Sequence, residues 1–402
     1  MNINSYTITR LYANLDTSIT HRGVLNMTIS NLTERKTAPF RFDNVGSFLR
    51  PSRLKEARDA FAKGTIAEEE LKSVEDEVIE ELIEKQKGIG LEAITDGEFR
   101  RSWWHLDFMW GLEGVEKVEI DEGYKFVEAE TRAESARLTG KLGGSNHPFI
   151  EHFKFVNRFA DEDIIARQTI PAPAQFLAEL HRPENKETTD KFYPDEAELI
   201  EDIAAAYQTF IKELYAAGCR NLQLDDCTWG MIVDEQFWKN MNEDFTVEDL
   251  SRKYVGLNNK AIEGSPEDLV ITTHVCRGNY RSAWATSGAY DTVADVLFGE
   301  ENVEGYYLEF DTERAGGFES LSKVSGDKVV VLGLFSSKLP ELEDKEEIKG
   351  RIEEAAKYID KDRLCISPQC GFASTEEGNN LTEKEQWEKL ELIKEVAEEV
   401  FG

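Results

Sequence analysis

The chain has 402 residues, 40% of them apolar, which is ample for a large core, and no stretch reaches the roughly 18–20 uncharged apolar residues of a membrane span. Its 79 acidic and 47 basic residues give a formal charge of −32, which repels phosphate backbones and argues against nucleic acid as a partner. Five cysteines at wide spacing, an odd number, argue against a disulfide framework and for a reducing cytoplasm.

Residues 1–38 read as a poorly patterned, Thr/Asn/Ser-rich N-terminal extension, and residues 1–26 lack the compact apolar run and small-residue cleavage site of a signal peptide. Met27 is an alternative start. Coherent patterning begins near Pro39, and residues 39–402 read as one domain. The expected strands are Phe40–Val45, Ala93–Thr95, Ile164–Ile170, Asn221–Leu224, Leu269–Thr273, Gly305–Glu309, Lys328–Leu332 and Leu364–Ile366. Between them lie amphipathic stretches: Ser52–Lys63, Ala67–Lys87, Glu196–Ala217, Val247–Ile262, Thr292–Leu297, Lys345–Tyr358 and Glu383–Val400. In Ala67–Lys87 the apolar residues Leu71, Val74, Val78 and Leu82 follow the helical period. Eight strands, each followed by helical sequence, predict an α/β fold, a (β/α)8 TIM barrel, with a doubly wound open sheet as the alternative. An insertion near 108–161 alternates like a hairpin at Val115–Ile120 and Tyr124–Glu130 and is expected to cap one barrel end. Arg277–Ala289 reads as a long polar loop.

Barrel enzymes do chemistry at the C-terminal ends of their strands, and here those ends are rich in polar and ligating residues. Ser47, Glu98, Asp225, His274, Cys276, Glu309, Lys338 and Cys370 recur near one register. His274 and Cys276 are two residues apart at a strand end, so both point to one side and reach one metal. Glu309 ends the neighbouring strand, and Cys370 follows the last one beside Pro368 and Gly371. Sulfur with imidazole and carboxylate selects Zn2+. Glu98 and Asp225 are candidates to hold a substrate ammonium group or to act as acid and base. Ser47, after Gly46, offers a hydroxyl for a carboxylate. Cys219, Cys227 and Cys365 are assigned to packing, as are at least two of Trp103, Trp104 and Trp110. Of the remaining histidines, His105 draws notice for its nearness to Glu98.

The motifs T-H-V-C (273–276), S-P-Q-C-G (367–371), V-G-S-F (45–48), D-G-E-F-R-R (96–101) and Q-L-D-D (223–226) resemble those of cobalamin-independent methionine synthases, in the family's order from about residue 39 to 375. The resemblance is to the C-terminal catalytic barrel of those two-barrel enzymes. It implies zinc on His274, Cys276, Glu309 and Cys370. It implies homocysteine held by Ser47, Glu98 and Asp225, and transfer to its thiol of a methyl group from a 5-methyltetrahydrofolate-type donor. Where the family carries an acid histidine and an aspartate, this chain reads G-L-F-S-S-K-L-P (333–340), with Lys338 and Ser336 at those places. Lys338 is thereby expected to protonate the departing group or to pair with an anionic donor. The family half that helps bind a polyglutamate tail has no counterpart here, and the acidic surface favours a short-tailed or different donor. Two other functions are weighed: a zinc-free decarboxylase of the uroporphyrinogen decarboxylase type, and a non-catalytic zinc-stabilised barrel. Oligomeric state is not readable from the sequence.

Overall fold

A computed structural model describes residue 35, residues 37–240 and residues 245–402. Most of the expected extension, 1–38, lies outside the described residues. Among the described residues eleven strands form: β1 (Ala93–Ile94), β2 (Glu113–Glu119), β3 (Lys125–Phe126), β4 (Ala129–Glu130), β5 (Glu134–Gly143), β6 (Ile165–Pro171), β7 (Asn221–Asp226), β8 (Val270–Val275), β9 (Gly305–Glu309), β10 (Val329–Phe335) and β11 (Leu364–Pro368). Seven of them make one curled parallel sheet in the order β1-β6-β7-β8-β9-β10-β11. Their burial is nearly continuous, as a parallel sheet covered by helices requires. Among the described residues no helix is long and apolar enough to cross a membrane.

The helices begin and end where local chemistry dictates. Thr246 and Thr382 each close a capping box with the residue three on, Asp249 and Glu385. Asp195 caps Glu196–Ala216 by accepting from the Ala197 N–H. Glu68–Ile89 carries three glutamates in its first turn and ends on Gly90 at φ 93°, a left-handed conformation that suits glycine.

Two expectations need correction. The first predicted strand, Phe40–Val45, forms no ladder; a single bridge joins Phe42 to Ile366 of β11. The cause is Asp43, whose carboxylate accepts from the Phe40 and Asn44 N–H groups, occupying donors that a neighbouring strand would need. The segment is anchored by side chains instead. Asp43 receives two bonds of 2.9 Å from the Arg167 guanidinium on β6 and one of 2.8 Å from the Tyr307 hydroxyl on β9. On its other side the Asn44 amide donates to the Ala93 carbonyl of β1. Residues 40–48 therefore touch both outer strands of the curled sheet.

The second correction concerns the insertion. β2 pairs antiparallel with β5, not with Tyr124–Glu130, while β3 and β4 pair with each other around a tight turn with Glu128 at φ 60°. This small β3–β4 hairpin leans on the loop after β8, where the Val127 N–H donates to the Trp284 carbonyl.

Candidate metal and substrate site

A cavity of about 1330 Å³ opens at the C-terminal ends of the strands. Its wall includes Ser47, Glu98, Asp225, His274, Cys276 and Cys370, six of the expected residues. The β3–β4 hairpin and the loop 277–289 contribute Phe126 and Trp284 to the same wall.

Strand register builds the ligand cluster. His274 on β8 stands opposite Tyr307 on β9, and Glu309, the last residue of β9, is level with Gly333 of β10. A Cβ at Gly333 would lie 2.6 Å from the Gln369 Cα, so only glycine lets the loop bearing Cys370 approach. His274, Cys276, Glu309 and Cys370 are all buried, with one donor atom of each within 4.8 Å of all the others. The two sulfurs are 3.8 Å apart. His274 Nδ1 lies 3.3 Å from the Tyr307 carbonyl, which leaves Nε2 buried without a partner. An orphaned buried nitrogen beside two thiols and a carboxylate fits a tetrahedral zinc ligand set, with the backbone carbonyl fixing the imidazole tautomer.

The electrostatics agree. Burial raises the pKa of Glu309, but Lys338, Arg314 and His274 outweigh it and hold the carboxyl below its usual range. Glu309 also accepts from the Arg277 N–H at 2.9 Å and from Arg314 at 3.3 Å. Hydrogen bonding to Cys227 and burial push the Cys276 thiol well up, and bonding to Cys276 with burial does the same for Cys370. Two buried thiols that resist ionisation on their own are stabilised as thiolates by a bound cation.

Glu98 and Asp225 face the cavity nearby. Glu98 adopts φ 61°, uncommon for a side-chain-bearing residue, and a strained backbone of this kind marks functional sites. Its Oε1 accepts from the Thr169 hydroxyl at 3.2 Å and its Oε2 is buried without a partner. Burial raises its pKa against the pull of Arg101 and Arg50. Asp225 is pushed well up by burial and by the charge of Glu98. Ser47 Oγ accepts from the Ala373 N–H at 3.2 Å, which leaves its own proton free to donate. A Cβ at Gly371 would fall 1.9 Å from that oxygen, so glycine is required there too.

A profile of the family described as "Cobalamin-independent synthase, Catalytic domain" matches residues 40–121 and 191–399. The chain belongs to the cobalamin-independent methionine synthase family. It is 44% identical over 373 residues to the uncharacterized protein YxjH of Bacillus subtilis (strain 168), covering 92% of this chain and 96% of that one. A solved structure from Listeria monocytogenes, described as "the Putative Vitamin-B12 Independent Methionine Synthase", superposes with a TM-score of 0.71 at 39% identity, over 92% of this chain and all of that one. The 5-methyltetrahydropteroyltriglutamate–homocysteine methyltransferase of Nitrosomonas europaea is 22% identical over 89% of this chain, which spans 46% of that protein's length. Family membership favours the methyltransferase over the decarboxylase alternative.

The remaining expectations divide. Cys219 and Cys365 are fully buried packing residues. Cys227, also assigned to packing, instead lines the cavity and hydrogen-bonds Cys276; the turn after β7 swings it out of the core. Lys338 is buried but is not among the cavity-lining residues, and its Nζ has no hydrogen-bond partner. Its charge helps to hold the Glu309 carboxyl below its usual range. Trp103 and Trp104 both line the cavity; Trp103 is buried and bonds Glu134, and Trp104 stacks on His105 at 4.5 Å. Among residues that sequence reasoning passed over, Asn279 donates to the Gly371 carbonyl at 2.7 Å and so holds the Cys370 loop. Arg314 bridges Glu309 and Asp311.

Proposed function

We propose that this chain is a zinc methyltransferase that transfers a methyl group to the thiol of homocysteine, with a 5-methyltetrahydrofolate-type donor. The observation that carries the reading is the buried cluster of His274, Cys276, Glu309 and Cys370, three of which, His274, Cys276 and Cys370, line a cavity that also holds Glu98, Asp225 and Ser47. Zinc on those four donors would keep a coordinated thiol as its thiolate at neutral pH. Glu98 and Asp225 receive the amino group of the substrate, since a cation between them offsets the burial that each carboxylate suffers. The free proton of Ser47 Oγ points the substrate carboxylate. These three contacts fix the sulfur for in-line attack.

The cavity exceeds the roughly 300–1,000 Å³ of ordinary ligand pockets, which suits two substrates held together. Trp104, Tyr254, Phe237 and Trp284 give its outer part the flat apolar walls that a pterin ring requires. Lys338 serves here as a counter-charge: two thiolates and a carboxylate exceed the charge of one zinc ion, and Lys338 beside Glu309 offsets the surplus. All five cysteines are free, in keeping with a cytoplasmic enzyme.

The test combines zinc analysis, zinc X-ray absorption with and without homocysteine, and a screen of methyl donors. The expected result is one zinc per chain and a new zinc–sulfur scatterer when homocysteine is added. A protein that takes up no zinc, or whose zinc shell is unchanged by homocysteine, refutes the reading.

A further inference from the structure

Three cysteines line the cavity, and Cys227 is the one that stands outside the ligand set. Strand register fixes where it points. β7 and β8 run parallel, with Asp225 opposite His274 and Asp226 opposite Val275. The Cys276 N–H donates to the Asp226 carbonyl at 3.0 Å, which carries the pairing one step past the ladder. Cys227 and Cys276 are thus the next opposed pair. Side chains alternate along a strand, so Cys227 shares the inward side with Asp225, while Asp226 turns outward to Asn258.

Neighbouring strands lie about 4.8 Å apart, inside the roughly 4.4–6.8 Å between Cα atoms that a disulfide spans. The two thiols are already in hydrogen-bond contact. Their backbones are held firmly. The Cys227 N–H donates to the Gln175 side chain at 3.2 Å. A Cβ at Gly230 would lie 2.5 Å from the Cys276 carbonyl oxygen, so the helix Thr228–Val233 packs directly on that residue. On its other side Cys276 has the Cys370 sulfur at 3.8 Å. Exposure separates the three: Cys276 is 7% and Cys370 3% exposed, whereas Cys227 is half-buried. A packing role accounts for the contact between the thiols. It does not account for an oxidisable side chain at the open edge of a ligand cluster.

We propose that Cys227 is an oxidation site paired with Cys276: a hydroperoxide oxidises the Cys227 thiol, and the two residues then close a disulfide that withdraws Cys276 from the ligand set. The loss of zinc rests on the function proposed above; the disulfide does not. In the first step Cys227 Sγ attacks a peroxide oxygen and the O–O bond breaks. Cys227 becomes a sulfenic acid, and the other oxygen leaves as water or an alcohol with the thiol proton. In the second step Cys276 Sγ attacks the Cys227 sulfur and the S–O bond breaks. The hydroxyl leaves as water, with a proton from the Cys276 thiol or, where that sulfur is held as thiolate, from solvent. The two sulfurs together lose two electrons, and the hydroperoxide gains them. Cys276 is too buried to meet the oxidant first, but its own attack is on a neighbour already in contact. A sulfur tied up in a disulfide is no longer a thiolate ligand, and a thiol reductant restores it.

The test treats the full chain, zinc-loaded and zinc-free, with hydrogen peroxide, blocks the remaining thiols and maps cross-links by mass spectrometry. Trypsin puts the three cysteines in separate peptides, 221–239, 261–277 and 364–384, the last of which also holds Cys365. The expected product joins 221–239 to 261–277 and disappears with dithiothreitol. The zinc-loaded parent should release its metal to a chelator at least about tenfold faster than Cys227→Ser, since oxidation follows thiol exposure. Thermal melts and zinc content check that the variant folds and loads. The proposal is overturned if the main cross-link joins 261–277 to 364–384, or if Cys227 ends as a sulfinic acid without a cross-link. It is equally overturned if Cys227→Ser releases zinc as fast as the parent. A chain that takes up no zinc yet forms the Cys227–Cys276 bond refutes the zinc reading and keeps the oxidation site. A chain whose zinc responds to homocysteine but which never forms that bond refutes the oxidation site alone.

Discussion

Glu301 offers a sharp test of how burial shapes this protein. It follows the helix Ala294–Glu300 and is fully buried. One carboxylate oxygen accepts from Asn258 at 3.1 Å, and the other has no partner. Burial, with the charge of Asp226 adding to it, raises the acid from 4.5 to about 8. The folded state therefore holds this proton more tightly than the unfolded chain. The resulting stability is complete below pH 4.5, declines as pH rises, and is gone above about 8. At about 1.4 kcal/mol per unit, the amount at stake is on the order of 5 kcal/mol. Glu301→Gln keeps the shape and the Asn258 contact but cannot ionise. Urea unfolding of both proteins at pH 5 and at pH 8 isolates this group, because other titrations cancel in the difference. The stability of the Gln variant relative to the parent should rise by about 4 kcal/mol between the two pH values. A difference that stays constant within about 1 kcal/mol refutes the argument that this carboxyl is buried in its neutral form.

Other perturbations separate metal, substrate and scaffold. Cys370→Ser should abolish tight zinc binding while leaving the far-UV circular dichroism unchanged, since the loop is also held by Asn279; unfolding of the variant would make the metal structural. Asp225→Asn should raise the KM for homocysteine about 10- to 100-fold, the worth of a charged hydrogen bond, with a smaller change in kcat. An unchanged KM removes Asp225 from the amino-group site. Asp43→Asn leaves the buried Arg167 guanidinium without its counter-charge and should cost about 3–5 kcal/mol in denaturant titrations without altering zinc content.

Much of this was legible because strand periodicity and strand-end position constrain side chains strongly. His274 and Cys276 face one side for the reason that any residues two apart on a strand do, and β8, β9 and β11 start and stop within two residues of where the apolar runs do. What failed depended on partners distant in sequence. The alternation in Val115–Ile120 is real, but its partner is β5 because the nearer run folds back on itself at Val127 and Glu128. Phe40–Val45 has a strand's composition, yet Asp43 inside it takes the local N–H groups. His105 showed no partner because Tyr124 and Glu179 come from a hairpin and a helix far along the chain. Lys338 is buried with an unpartnered Nζ and is not among the residues lining the cavity, which no local pattern in the sequence indicated.

The bridge between Phe42 and Ile366 has a consequence for the birth of the protein on the ribosome. Phe42 is made 324 residues before its β-partner, Ile366. At about 20 residues per second the wait is roughly sixteen seconds, during which Phe40 and Phe42 have no strand to cover them on that side. Arg167 appears much sooner. Its bidentate grip on Asp43 can form as soon as β6 is synthesised, tethering the leading segment to the growing sheet until β11 arrives. The same ion pair that replaces a ladder in the finished fold is thus placed to chaperone an exposed apolar strand during synthesis.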